Sequence, residues 1–210
     1  MKILSKLFGS EAKVKIMRLF MFNPEQIFSP DDISARAKVP KATVKHEIYI
    51  LRRMGMVKGR RFVGNVSTRK GRIFVTKKKS VGGFVLNESF PYLPALRTLL
   101  IHTVLFNQND VLRRLSAVGR MKLVIVAGVF TNDADSRADL LIVGDNIKFT
   151  ALANVIKGIE SEIGKELRYV AFETGDFKYR FDMYDKLIRD ILDYPHKKIL
   201  SKLGDELQVG

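Results

Sequence analysis

The chain has 210 residues, 46% of them apolar, enough to bury a core without covalent staples. Lysine and arginine number 37 against 22 acids, a formal net charge of +15, and there are no cysteines and only three histidines. Disulfides, thiolate zinc sites and cysteine nucleophiles are thereby excluded. No apolar run reaches the ~18 residues of a membrane-spanning helix. Met1–Ser10 shows no long apolar core or cleavage pattern and is expected to be a helix end, not a signal peptide. The expected location is the cytoplasm, with no membrane partner.

The charge is unevenly placed. Residues 1–87 hold 20 Lys/Arg and 5 Asp/Glu, whereas residues 88–210 hold 17 of each. A basic module joined to a neutral one implies two different partners, and the basic one suits a polyanion such as nucleic acid.

Ser10 is placed to cap a helix over Glu11–Phe20, with Val14, Met17 and Phe20 or Met21 at helical spacing, ended by Asn23-Pro24. Ser29-Pro30-Asp31-Asp32 opens a second helix carrying Ile33 and Ala37. After Val39-Pro40 a third runs from Lys41 to Met54 and stops at Gly55. Two short helices joined by a tight turn, the second longer and basic, follow the helix-turn-helix plan. On the third helix Val44, Ile48 and Leu51 form a core stripe. Ala42, His46, Tyr49 and Arg53, flanked by Lys41 and Lys45, form the opposite face, suited to a major groove.

An extended stretch follows from Val57 to Val63, then a polar tip from Gly64 to Arg72, a second strand from Ile73 to Lys79 and a third from Gly83 to Leu86. Lys58–Lys79 contains nine Lys/Arg and no acid. A hairpin of this kind behind a recognition helix is a wing, with Arg60, Arg61, Arg69, Lys70 and Arg72 available to phosphates.

On these residues, Phe28–Lys38 and Val39–Val57 above all, positions 10–87 resemble the ArsR-like winged-helix domain of prokaryotic transcriptional regulators. Phe84–Arg97 is similar to the close of such domains. The resemblance implies binding of double-stranded DNA. The wing departs from it by extra length near Ser67–Arg72.

Pro91 and Pro94 mark the expected boundary between residues 1–90 and 91–210. Leu96, Leu99, Leu100, Thr103 and Val104, then Val111, Leu112, Leu115 and Val118, read as two core helices of the second domain; the alternative makes the Leu96–Phe106 face a homodimer contact. Met121–Ala127 is a buried strand, Ala138–Val143 another, and Gly144-Asp145 a turn. Leu152, Val155, Ile156, Ile159 and Ile163 lie on an amphipathic helix stopped by Gly164. Leu167–Phe172 is a third strand, and Phe181–Leu192 a last long helix. The expected class is α+β, a winged helix-turn-helix followed by a small α/β domain.

Residues 121–200 resemble the minimal nucleotidyltransferase fold of the polymerase-beta superfamily. Active members carry Gly-Ser after the first strand, an Asp-x-Asp pair at the second and a third acid on the next strand. Together these hold the nucleotide phosphates and two divalent ions. Here Gly128 is followed by Val129, Arg137 replaces the first aspartate, Asp139 matches the second, and Arg168 or Tyr169 stands near the third. An arginine there repels Mg²⁺, with Asp133 and Asp135 as the only local substitutes. The resemblance therefore implies a degenerate domain with no catalytic residues, metal or cofactor. Such a domain would serve dimerisation, partner binding or ligand sensing, and Arg137 and Arg168 suit a phosphate-bearing small ligand. Two other readings stay open: an active metal-dependent nucleotidyltransferase delivered by its basic domain, and an antitoxin-like or RNA-binding interaction module.

Overall fold

Ser10 and Ser29 open helices where the sequence places them. In the computed structural model, residues 2–70, 73–102, 108–133 and 135–203 are described, with the backbone alone for Lys2, 64–70, 73–79 and His102. The chain is mixed α+β and divides into two compact units, residues 1–103 with 160–165, and 104–159 with 166–210. No helix among the described residues is long and apolar enough to cross a membrane.

In the first unit, helix α1 (Lys2–Phe8) precedes α2 (Glu11–Phe22), whose first turn is closed by Lys13 N–H donating to Ser10 Oγ at 3.1 Å. Helix α3 (Pro30–Ala37) begins with a reciprocal capping box between Ser29 and Asp32. Helix α4 (Lys41–Arg53) follows after a left-handed Lys38. Val14, Met17, Phe20, Phe28, Ile33, Val44, Ile48, Leu51 and Met56 make one buried cluster, with Phe20 and Phe28 edge-to-face at 5.6 Å. Each such side chain contributes about 1.5–3 kcal/mol by leaving water.

Helix α2 is not amphipathic in the expected sense. Ile16, Leu19 and Met21 are buried as well, and so is Arg18, 4% exposed. The Arg18 guanidinium donates to the carbonyls of Leu100 and Glu162, each at 2.9 Å. These bonds offset the cost of burying its charge. The end of the helix over Phe149–Ile163 belongs to the first unit. Gly164 approaches α2 so closely that a Cβ would lie 2.6 Å from Arg18 C and Leu19 N, and its φ of +88° also demands glycine.

The wing differs from expectation. It is one antiparallel hairpin of two 14-residue strands, β1 (Val57–Lys70) and β2 (Ile73–Leu86), in unbroken register from Val57↔Leu86 to Lys70↔Ile73. The expected polar tip, as far as Lys70, is therefore strand, and the expected second and third strands are one. A polar run reads as a tip because alternating apolar residues are what mark a strand in sequence, yet cross-strand backbone bonds need no apolar side chains. The third partner is Phe28, which exchanges backbone hydrogen bonds with Phe84 at 2.9 Å each way.

Beyond Pro91 the chain stays in the first unit. The short helix α5 (Leu93–Arg97) and a π-helical turn (Thr98–His102) bring Leu93 and Leu100 into its core, with Leu96 packed alongside. These residues are core of the first unit, not of the second; Thr103–Phe106 lie outside the described residues.

The second unit holds α6 (Gln108–Ser116), β3 (Arg120–Ala127), a 3₁₀ turn (Gly128–Phe130), β4 (Leu140–Asp145), most of α7 (Phe149–Ile163), β5 (Tyr169–Glu173), α8 (Thr174–Asp182), α9 (Lys186–Asp193) and β6 (His196–Ser201). The sheet order is β5-β4-β3-β6, with β4 and β5 parallel and the other pairs antiparallel. One face of β3 and β4, through Leu123, Ile125, Leu141 and Val143, packs on Phe177, Ile188 and Ile191 of α8 and α9.

Three expectations are corrected here. Gly144 and Asp145 continue β4, and the turn falls at Asn146. The last long helix is two, broken at Tyr184 with φ +55° and restarted by the Asp185 cap. A sixth strand, not expected at all, adds to the free edge of β3; its Lys197 and Lys198 disguise it, as lysine does on edge strands.

Candidate nucleic-acid interface

The capping box of α3 and the turn through Lys38 fix where α4 begins, and the buried stripe Val44, Ile48 and Leu51 fixes its rotation. Lys41, Ala42, Lys45, His46, Tyr49 and Arg53 are all left exposed, Tyr49 at 59%. The one acid of this helix, Glu47, is 4% exposed and faces Lys13 of α2, its carboxylate 3.6 Å from the ammonium. The sequence reading passed over Glu47, although it lies three residues after Val44 and four before Leu51, on the core stripe. Its burial leaves the outward face without an acid of its own.

Two of the exposed side chains are already oriented. Arg53 donates to the Tyr49 hydroxyl at 3.4 Å, with its guanidinium 5.7 Å from the ring centre. Lys41 pairs with Asp31 at 2.8 Å, but both side chains are largely exposed, so the pair holds by about 0–1 kcal/mol and yields readily to a phosphate. In the wing, Arg60 and Arg61 are exposed near the base of β1. Arg69 and Lys70 are placed in β1 by backbone alone, opposite Phe74 and Ile73, and Arg72 lies outside the described residues. This arrangement offers a helix face with hydrogen-bonding tips and a cationic ribbon joined to the same core.

The second unit holds the residues matched to the nucleotidyltransferase pattern, and Gly128, Arg137 and Asp139 each have contacts within the fold. Asp139 is 0% exposed. Its Oδ1 accepts from Val129 N–H at 2.9 Å; its Oδ2 accepts from Arg168 N–H at 2.9 Å and from Arg168 Nε at 3.3 Å. Gly128 adopts φ +53°, and a Cβ there would fall 2.2 Å from Asp139 Oδ1. Glycine at 128 thus lets the backbone close over the carboxylate, and that carboxylate ties the turn after β3 to the entry of β5.

Arg137 does not direct its charge at Asp139 as expected. It is exposed and faces Asp190 of α9 at 3.5 Å, while Arg168 is the guanidinium on Asp139. The two arginines proposed to share one phosphate are therefore each paired with a different carboxylate. Asp133 accepts from Asp135 N–H at 3.1 Å, and its Oδ2 is buried without a hydrogen-bond partner. Among the described residues, no group of three or more histidine and acidic side chains converges as a metal site would require. Compared with protein-family models, curated proteins and solved structures, the chain matches none.

Proposed function

We propose that this chain is a sequence-specific DNA-binding regulator of transcription, a winged helix-turn-helix carrying a nucleotidyltransferase-like domain without transferase activity. The observation that carries the reading is the outward face of α4, where Lys41, Lys45, His46, Tyr49 and Arg53 stand exposed while Glu47 is withdrawn to Lys13. The N-terminal half of α4 would enter the major groove, with His46 and Tyr49 at base edges. Lys41, Lys45 and Arg53 would anchor to phosphates, and Arg60, Arg61 and the distal wing would follow the backbone.

The second unit supports the non-enzymatic half of this reading. Asp139 spends its oxygens on backbone and guanidinium donors, and Arg137 is held by Asp190. On this reading the domain assembles or senses, as a homodimer contact or a ligand receptor, and the protein works in the cytoplasm.

The test begins with selection of a duplex site from a random library. His46→Ala and Tyr49→Ala are then expected to weaken the selected site by about 1–3 kcal/mol each while leaving random DNA nearly unchanged. Arg60→Ala is expected to weaken both equally. Equal losses on both duplexes for all three variants would refute the placement of α4 in the groove.

A further inference from the structure

The last turn of α6, the start of β3, the residue before α7, and Leu200 and Lys202 at the end of β6 and just beyond it border an open groove of about 670 Å³ in the second unit. That volume falls in the ~300–1,000 Å³ range of small-molecule sites. Among the described residues, Arg113, Arg120, Lys148 and Lys202 line it and no acid does, although residues 88–210 as a whole are charge-neutral. Its lining includes Met121 and Leu200.

The neighbouring carboxylates are already committed, Glu173 among them, which accepts from the N–H groups of Asn146 and Ile147 just before Lys148. Asp110 is held by Arg113 and Arg114 of its own helix, and Asp145 accepts from Thr174 and faces Lys122 at 3.7 Å. Lys148 and Lys202 have no carboxylate partner among the described residues, and both side chains are exposed. Backbone bonds hold both in place: Lys148 N–H donates to Val118 O at 2.8 Å, and Lys202 N–H to Lys122 O at 2.7 Å. Lys148 also stands at the start of α7, whose first turn contains no acid, so the positive end of that helix adds to the same field.

We propose that this groove binds a phosphate-bearing small molecule with an apolar or aromatic body, of which a nucleoside monophosphate is the simplest. Lys148 and Lys202 take the phosphate, as point charges that need no fixed bidentate geometry. The Met121 thioether and Leu200 take the body, sulfur being a favourable neighbour for an aromatic ring. The groove is at the Arg120 end of β3, whereas Gly128 and Asp139 are at the other end, so it is separate from the remnant acidic site.

Titration calorimetry on the full chain tests this, with AMP, inorganic phosphate and adenosine as separate probes. The expected result is saturable binding of AMP, tighter than either fragment. With Lys148→Glu and Lys202→Glu combined, affinity for AMP is expected to fall at least about tenfold. Lys178→Glu, an exposed charge reversal on α8, is expected to leave it unchanged. Circular dichroism confirms that the double variant is folded. Unchanged AMP affinity in the folded double variant would overturn the proposal, as would no AMP binding to the wild-type chain at about 1 mM.

Discussion

Replacing Asp139 by alanine separates a structural carboxylate from a catalytic one. The side chain is fully buried and accepts two backbone N–H groups at 2.9 Å, from Val129 and Arg168. Truncation strands both donors, and each hydrogen bond to a charged acceptor contributes about 1.5–3 kcal/mol. Arg168 is half exposed and regains water, so its lost pairing adds little. Relief from burying the carboxylate offsets part of the loss. The net expectation is about 3–5 kcal/mol, a large share of the roughly 5–15 kcal/mol that holds a domain folded. Urea unfolding followed by circular dichroism measures it. Hydrogen exchange over residues 120–145 assigns the loss to the second unit, since the two units need not unfold together. A carboxylate kept for metal chemistry behaves oppositely, because functional sites carry local instability that their removal relieves. A loss below about 1 kcal/mol, together with nucleotidyl transfer by the wild-type chain that the variant lacks, would refute the structural role.

The same contact predicts that Gly128→Ala destabilises the second unit by about 2–4 kcal/mol, from its positive φ and from displacement of the Asp139 carboxylate; a neutral result in urea unfolding would contradict the geometry. Acid sensitivity should reside mainly in this unit, which holds three of the four lowered carboxyls among the described residues, Glu11 beside Lys15 in the first unit being the fourth. Hydrogen bonds from Arg113, Thr174 and Arg180 hold the carboxyls of Asp110, Asp145 and Asp185 below the ordinary aspartate value of 3.8. Between 3.8 and the lower folded values the unfolded chain binds protons that the folded chain does not. The stability these groups contribute is therefore complete above that window and lost as pH falls through it. Asp110→Asn should flatten the acid limb of a melting-temperature profile, and an unchanged slope would count against the Arg113 contact.

How far the sequence reveals the structure depends on where the determining interactions lie. Ser10 and Ser29 act within three residues, so both caps could be read directly. The orientation of α4 follows from a stripe within one helix. Glu47 lay within reach of the same wheel, but its partner Lys13 is on another helix. The break at Tyr184 uses a left-handed tyrosine that no turn residue announces. Arg137 and Arg168 do not converge on one ligand because each meets a carboxylate of a different element, Asp190 of α9 and Asp139 before β4, which spacing does not reveal. The groove between α6 and β6 draws its cations from four separate segments of the chain, and no local pattern joins Arg113 to Lys202.

The central claim is that the basic unit binds DNA through charge placed on one helix face and its hairpin. Fluorescence anisotropy of a selected duplex across about 50–200 mM salt measures it most directly. Lys41, Lys45, Arg53, Arg60 and Arg61 are exposed cations assigned to phosphates, and five phosphate contacts correspond to a log–log slope near −4.5. Each lysine or arginine removed should make the slope shallower by about 0.9. A flat response over that range, or a slope that Lys45→Ala and Arg60→Ala leave untouched, would contradict the account.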